Sequence, residues 1–439
     1  MTTPTTPDPA KAADSRRRRF RQMLVSGLGL GAPSAVAILA LPVLIGNLGV
    51  EQFSLFALFW TLIAYSTLFE FGLGKGVTRE LAGHGTDKRR VAQVMSTSVM
   101  FSLALAGVVM LALFFTFPML LRFLLRNSAD FLDEARRAGH YLLVALPFIT
   151  MAPIFFGFLE SQQDFRTAAA CRATIGCLIL LAPALVTIVH PDVASAIAAV
   201  VAVRVLSTLG LALITLRRMG VGMSLADVDP RGGARLLAYG GWITVTTLTT
   251  PIMLYADRFI LTSAHGLAVT SLYLIPFEFL VRLMLLPTAI SLVTFPRFAT
   301  TGLSVQATVR LIRESTVLVL LAFGVPALVV AGLVLLNAPA LAAVAGTVEM
   351  WRIAAWLLVG FLVMSMTYSP QTYLLASGHA ALLARFSVLE LVLWLAYTPL
   401  LILSWGTTGA IVAFTTRALI TLTGYSLMVG YTLGLRRRG

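Results

Sequence analysis

The feature that most constrains this chain is the recurrence of long apolar runs. Only 12% of its residues are charged, whereas soluble domains carry about 25%. The apolar runs fall at 23–46, 53–74, 92–118, 139–160, 171–190, 194–216, 238–262, 270–294, 314–336, 351–375, 383–404 and 408–434. A helix of about 20 apolar residues spans the hydrocarbon core of a bilayer. The runs therefore predict an all-α polytopic membrane protein with about twelve transmembrane helices.

The basic residues of the loops predict how these helices are oriented. If both termini are cytoplasmic, the inner segments hold 24 of the 33 Lys and Arg residues and the outer loops hold 5. Short cytoplasmic loops are the ones enriched in Lys and Arg, so both termini are predicted to be cytoplasmic. The net charge of +14 would also suit a nucleic-acid binder. The arginines lie in separate short loops and not on one surface, so no nucleic-acid partner is predicted.

The chain also repeats itself at a shift of 217 residues. The matching pairs are Gly49 and Gly266, Ser54 and Ser271, Leu55 and Leu272, Phe56 and Tyr273, and Ala82 and Ala299. With six helices in each copy, both copies enter the membrane from the same side, which predicts two parallel repeats forming two lobes. The predicted division is a cytoplasmic N-terminal tail (1–22), an N-lobe with helices 1–6 (23–216), a cytoplasmic inter-lobe loop (217–237), a C-lobe with helices 7–12 (238–434) and a cytoplasmic tail (435–439).

Four arginines lie inside the predicted spans and more than three residues from either end. At about 1.5 Å per residue, Arg204, Arg282 and Arg417 fall near the bilayer midplane, whereas Arg258 lies near the outer end of the seventh helix. An arginine at the midplane costs roughly 2.5–3.5 kcal/mol on insertion scales and cannot lose its charge to avoid that cost. Its planar fork suits phosphate. We therefore predict that these four arginines bind an anionic substrate group, such as a lipid pyrophosphate.

Structural roles for the same residues remain open at this point. Glu278 and Arg282 are four residues apart, so they could pair on one helical face. Asp257 could fix the position of the eighth helix in place of a coupling or gating role. Arg258 could extend to the membrane interface. Counting residues places Asp257 and Arg258 near the outer rim and Glu278 and Arg282 at the midplane.

Carboxylates within the spans are candidates for coupling or gating. A buried carboxylate can carry a proton, and the candidates are Glu70, Asp257, Glu278 and Glu390. Glu70 could equally cap its helix or pair with Lys75 or Arg79, and Glu390 lies near the inner interface. The choice between coupling and structural roles stays open.

Several kinds of catalytic chemistry find no support in the sequence. The stretch Gly72–Gly76 is too short for a phosphate-binding loop of the Walker type, and the five histidines are scattered. The two cysteines, Cys171 and Cys177, fit neither a disulfide framework nor a metal site. We therefore predict no catalytic residues, no metal site and no cofactor apart from a coupling proton or sodium ion.

Two stretches carry a family resemblance, 41–82 and 255–299. They contain a Leu-Gly turn followed by an aromatic helix start, a carboxylate-Phe-Gly-Leu-Gly helix end, and an Asp-Arg-Phe triplet before a second Gly turn. The residues are Leu48-Gly49, Phe53, Phe56, Glu70-Phe71-Gly72-Leu73-Gly74, Asp257-Arg258-Phe259 and Pro296-Arg297-Phe298-Ala299. This pattern resembles the polysaccharide or O-unit flippases (Wzx type) of the multidrug/oligosaccharidyl-lipid/polysaccharide (MOP) exporter superfamily. The family often has Asp where Glu70 stands.

The resemblance implies two lobes around a central cavity in the bacterial inner membrane, and a transporter rather than an enzyme. It implies translocation of an undecaprenyl-pyrophosphate-linked oligosaccharide by alternating access. The implied partners are this substrate, membrane lipids, and the polymerase and glycosyltransferases of the same pathway.

Three other functions fit the sequence less well. A multidrug extruder exports cationic drugs and favours acidic residues in its cavity, so the midplane arginines argue against this function. A lipid II flippase usually has fourteen helices and arginines in its first helix, whereas residues 23–46 hold no charge. A membrane polymerase or ligase would need longer outer loops.

Overall fold

The computed structural model describes residues 32–66, 72–82, 87–299, 304–335 and 348–438. All regular secondary structure in these ranges is helical. The helices are α1 (Ala32–Leu48), α2 (Val50–Ser66), α3 (Leu73–Leu81), α4 (Lys88–Leu124), α5 (Leu132–Ser161), α6 (Phe165–Val189), α7 (Val193–Met219), α8 (Pro230–Tyr255), α9 (Asp257–Leu283), α10 (Leu285–Phe298), α11 (Val305–Leu335), α12 (Val348–Met366), α13 (Tyr368–Ala376) and α14 (Ala380–Arg438).

Two glycines divide helices that are otherwise continuous. Gly266 has a φ of 84° inside α9, and Gly406 has a φ of 57° inside α14; glycine is the residue that adopts such angles without steric cost. Each of these glycines separates two successive crossings of the membrane. Counted this way, the described ranges contain twelve membrane-crossing segments. The crossings are 32–48, 50–66 with 73–81, 88–124, 132–161, 165–189, 193–219, 230–265, 267–298, 305–335, 348–376, 380–405 and 407–438, which confirms the predicted all-α fold.

The breaks between crossings recur at, or within two residues of, the shift seen in the sequence. Gly49, with a φ of 78°, separates crossings 1 and 2, and Gly266 separates crossings 7 and 8. The left-handed residue Gln163 follows crossing 4, and Gly378, also left-handed, follows crossing 10. The order of the crossings is therefore the same in the first half (crossings 1–6) and the second half (crossings 7–12). The residue bounds of the two predicted lobes stay a prediction.

Aspartate side chains cap the N-termini of four of the described helices. The side chain of Asp192 accepts a hydrogen bond from the Ser195 amide at 2.9 Å, and Asp87 accepts one from the Arg89 amide at 3.0 Å. The other two caps are Asp164 at α6 and Asp229 at α8. Such caps satisfy amides at the helix start that have no partner within the helix, which allows tight turns between crossings.

The apolar core shows how the two halves meet. The buried cluster of the first half draws on α1, α2 and α4–α7, and it also takes in Leu267, Leu274 and Ile275 from crossing 8. A second cluster joins α9, α11, α12 and α14 within the second half. The part of crossing 8 that follows Gly266 thus packs into the first half, which places the charged residues of α9 at the junction between the halves.

Candidate functional site

Arg258 is the most deeply buried charge at this junction. Its side chain is only 1% exposed, and its Nη1 donates to Glu278 Oε1 at 2.9 Å. The same nitrogen donates to the hydroxyl of Thr61, in the first half, at 3.1 Å. The guanidinium carbon lies 4.8 Å from the ring centre of Tyr255 and 5.3 Å from that of Phe277, a distance at which aromatic faces stabilise a cation. Arg258 therefore bridges the two halves.

Glu278 is shared by two arginines. Its second oxygen, Oε2, accepts a hydrogen bond from Nη2 of Arg282 at 3.2 Å. The Glu278 side chain is 7% exposed and that of Arg282 is 24% exposed. The pairing of Glu278 with Arg282, one of the two readings left open by the sequence, is confirmed. We call the set Arg258–Glu278–Arg282 the triad, and within it Arg282 is the accessible member.

Asp257 completes this charged group. One of its oxygens accepts a hydrogen bond from the Arg258 amide at 2.8 Å, and the other accepts one from the hydroxyl of Tyr273 in crossing 8. Asp257 is thus in contact with the eighth helix, as the structural alternative predicted. With Asp257 and the triad taken together, two carboxylates balance two guanidinium groups.

Charges predicted at the rim and at the midplane are in direct contact. Arg258 pairs with Glu278 and is fully buried, so the alternative in which Arg258 extends to the membrane interface is wrong. The reason lies in the turn. Crossing 7 continues to residue 265 and turns at Gly266, which lies beyond the end of the apolar run. Arg258 and Glu278 are therefore roughly 12 Å and 18 Å along their helices from that turn, a difference that a long arginine side chain can span.

A second buried pair lies within crossings 11 and 12. Nε of Arg417 is 3.4 Å from Glu390 Oε1, and the two side chains are 3% and 4% exposed. The hydroxyl of Thr421 also donates to Glu390. Arg417 interacts electrostatically with Asp257 and Tyr273, so this pair lies near the triad without a direct hydrogen bond to it in the described residues.

The remaining predicted site residues stand apart. Arg204 lies on α7 of the first half, and its buried Nε has no hydrogen-bond partner among the described residues. Glu70 lies outside the described residues, so its role stays a prediction. The structure thus brings together Asp257, Arg258, Glu278 and Arg282, pairs Arg417 with Glu390, and leaves Arg204 separate.

The three predicted site arginines of the second half, Arg258, Arg282 and Arg417, also keep unused donors. The buried side-chain nitrogens that lack hydrogen-bond partners among the described residues are Nε and Nη2 of Arg258, Nε of Arg282 and Nη1 of Arg417. An unsatisfied buried donor is costly, so these nitrogens mark places where water or a ligand would be stabilised. Of these side chains, Arg282 is the one that is partly exposed.

Sequence reasoning missed the partners that the first half supplies. At the shift of 217, Thr61 is the counterpart of Glu278 and Tyr65 the counterpart of Arg282. Thr61 and Glu278 both accept from the same nitrogen of Arg258. The hydroxyl of Tyr65 donates to the carbonyl of Pro251 at 2.9 Å. The repeat itself was the signal that could have identified these two residues.

Sequence reasoning also missed a cavity near the end of the junction that is predicted to be cytoplasmic. A cavity of about 410 Å³ lies among α3, α4 and α8, and its charged and polar lining residues are Arg79, Glu80, Arg90, Gln93, Thr97, Asp229 and Arg235. Arg90 pairs with Glu80, and Nη2 of Arg235 is 3.8 Å from an oxygen of Asp229. The two carboxylates of this cavity offset two of its three arginine charges.

The fold is shared with solved structures of known transporters. An inward-facing structure of a multidrug resistance MATE family transporter of the MOP superfamily matches with a TM-score of 0.71 and 17% identity, covering 92% of this chain and 98% of that chain. An outward-facing structure of such a transporter matches with a TM-score of 0.61 and 15% identity, covering 94% and 95%. Identities this low establish the shared fold alone.

The sequence comparisons identify the family. Residues 20–301 match the family described as "Polysaccharide biosynthesis protein". A Shigella flexneri protein named "Putative O-antigen transporter" is 25% identical over 397 residues, which are 89% of this chain and 93% of that protein. The chain therefore belongs to the polysaccharide biosynthesis protein family, a multi-pass membrane protein with the MOP fold, and the resemblance seen in the sequence is confirmed.

Proposed function

We propose that this protein is a flippase that moves an undecaprenyl-pyrophosphate-linked oligosaccharide across the bacterial inner membrane by alternating access. The oligosaccharide is the repeat unit of an O-antigen, a capsule or an exopolysaccharide. In this proposal Arg282 binds the pyrophosphate between the two halves. The family match and the O-antigen relative support the substrate class, and the similarity to a transporter supports transport in preference to catalysis.

One observation carries the assignment of Arg282. It is the triad arginine with a partly exposed side chain, and Glu278 occupies only its Nη2. Its Nε is a buried donor without a hydrogen-bond partner in the described residues. An arginine can bind two oxygens of a phosphate group in parallel, so the remaining donors suit a pyrophosphate. The guanidinium group of Arg258 is enclosed, so in this proposal Arg258 affects pyrophosphate binding only through Glu278 and Arg282.

The proposal includes the topology and the partners. With both termini in the cytoplasm, the basic ends of α7 and α8 face the inner leaflet, where the lipid-linked substrate is assembled. The glycosyltransferases supply this substrate, and the polymerase of the same pathway receives it on the outer side. Asp257, Glu278 and Glu390 are all engaged in this state, so a coupling proton or sodium ion would bind after one of these contacts opens. Glu70 remains a further candidate.

The test replaces Arg282 by Ala and by Lys and measures flipping of a fluorescent undecaprenyl-pyrophosphate oligosaccharide in proteoliposomes at equal protein content. We expect Arg282→Ala to lower the initial rate by roughly tenfold or more, and Arg282→Lys to retain part of it, because a lysine keeps the charge without the planar fork. The matched control is Arg310→Ala, which removes an exposed arginine paired with Glu314 and should leave the rate unchanged.

Two outcomes would contradict parts of the proposal. An unchanged rate in Arg282→Ala would remove Arg282 from the substrate site. If the unaltered protein fails to flip this lipid but exports cationic dyes, the multidrug alternative would replace the flippase assignment.

A further inference from the structure

The loop between crossings 3 and 4 reaches from the first half to the turn between crossings 7 and 8. Nε of Arg126 donates to the carbonyl of Ser263 at 2.6 Å. The side-chain amide of Asn127 donates to the carbonyls of Ser263 at 3.1 Å and Ala264 at 2.8 Å. These carbonyls belong to the last turn of crossing 7, where helix carbonyls need donors from outside the helix. Two residues of the first half therefore cap a helix of the second half.

The next residue, Ser128, caps the helix on the other side of the turn. Its hydroxyl oxygen accepts a hydrogen bond from the backbone amide of Leu267 at 2.9 Å. This amide lies in the first turn of crossing 8, where helix amides need outside acceptors. The consecutive residues Arg126, Asn127 and Ser128 thus bond to both ends of one turn across the junction.

Gly266 allows this close approach. Its φ of 84° and ψ of 174° belong to a region that is essentially restricted to glycine. A Cβ at this position would lie 2.9 Å from the Asn127 carbonyl oxygen and 3.0 Å from the Ser128 hydroxyl. At Gly49, the counterpart in the first half, a Cβ would meet nothing within 4 Å. The tight contact is specific to the turn of the second half.

We propose that Arg126, Asn127 and Ser128 form an outer latch that holds the two halves together at their outer end and must release before substrate can leave there. Beneath the latch, Leu267, Leu274 and Ile275 pack into the core of the first half, so the outer end is closed in this state. All four hydrogen bonds cross the junction and end on helix termini, which makes them specific to the closed arrangement. The role in release and the assignment of this end to the outer side rest on the proposed function, whereas closure of the junction at this end does not.

The latch is tested by measuring distance across it, independently of transport. Spin labels are placed at two exposed positions beside the latch, Asp130 and Ala268, in a protein whose free cysteines Cys171 and Cys177 are replaced by serine. With the latch unaltered, the distances between the two spin labels should form a single population of short distances. Asn127→Ala removes two of the four bonds, and we expect it to shift the ratio of closed to open protein about tenfold toward open, corresponding to ~1.4 kcal/mol.

Ser128→Ala serves as a second variant because it removes one bond with little change in volume, and it should shift the ratio less than Asn127→Ala. Asn47→Ala is the matched control, since Asn47 donates at 3.3 Å to Thr187 within the first half, and it should leave the distances unchanged. The proposal is overturned if the distance distributions of both latch variants equal that of the Asn47 variant. A protein that opens as expected but moves no lipid-linked oligosaccharide would keep the latch and refute the flippase assignment.

Discussion

Replacing Glu278 by glutamine tests whether this carboxylate is the counter-ion of the triad. The change keeps the side-chain volume and removes the charge that faces Arg258 at 2.9 Å and Arg282 at 3.2 Å. Arg258, 1% exposed, would then keep only neutral acceptors for its Nη1, the Thr61 hydroxyl and the glutamine oxygen. Removing one partner of a buried pair costs about 3–5 kcal/mol. Because glutamine retains one acceptor oxygen, we expect about 3 kcal/mol, the low end of that range.

The assay is unfolding of the purified protein in detergent, with the monodisperse fraction measured by size-exclusion chromatography after heating. Glu349→Gln is the matched control because Glu349 and Arg352 form an exposed pair at 3.7 Å, and such pairs contribute about 0–1 kcal/mol. The Glu278 variant should therefore unfold at a clearly lower temperature than the Glu349 variant.

Second substitutions separate the two arginines. Adding Arg258→Gln to Glu278→Gln removes the buried uncompensated charge and should recover much of the loss. Adding Arg282→Gln should recover less, because Arg282 is 24% exposed and solvent already offsets part of its charge. The reasoning is refuted if Glu278→Gln unfolds like Glu349→Gln, or if Arg282→Gln rescues it better than Arg258→Gln does.

Three further predictions follow from contacts in the second half. Glu390→Gln leaves Arg417 buried without its counter-ion and should cost about 3–5 kcal/mol, and the double variant with Arg417→Gln should recover stability in the same heating assay. Tyr273→Phe removes the hydroxyl that donates to Asp257 and should cost about 1–3 kcal/mol, whereas Tyr431→Phe at an exposed position should cost little. Gly266→Ala should widen the spin-label distance across the latch, whereas Gly49→Ala, strained but unobstructed, should not, and equal distances in both would contradict the close-packing argument.

The sequence predicts the number and order of crossings well because apolar runs report burial in lipid. It predicts their ends poorly. α4 extends to Leu124 and α5 begins at Leu132, although the apolar runs end at 118 and begin at 139. Hydropathy detects the segment in contact with hydrocarbon, whereas backbone hydrogen bonding continues the helix through polar residues at the interface. Crossing 7 likewise continues past the end of its apolar run at 262 to the turn at Gly266. The apolar run therefore does not predict how far Arg258 lies from that turn.

The site could be predicted in part. Glu278 and Arg282 pair because residues four apart share a helical face, which needs no tertiary information. The contact between Arg258 and Glu278 spans 20 residues and depends on the geometry of the Gly266 turn, so local spacing does not encode it. The pairing of Arg417 with Glu390 across 27 residues depends on packing in the same way. Glycine torsion angles and helix contacts, rather than composition, assemble the site.

The two hydrogen bonds that Glu278 accepts differ in strength, and this difference explains how a network with little net charge could still bind an anion. Glu278 meets the enclosed Arg258 at 2.9 Å and the accessible Arg282 at 3.2 Å, and a shorter charge-assisted hydrogen bond is the stronger one. Solvent also weakens the outer bond, so Glu278 should release Arg282 before Arg258. In the proposed cycle, an arriving pyrophosphate takes over Arg282 while Glu278 keeps Arg258 neutralised. Glu278 then offsets the free energy cost of placing Arg258 in the membrane throughout the cycle. Arg282 is left free to bind and release the substrate.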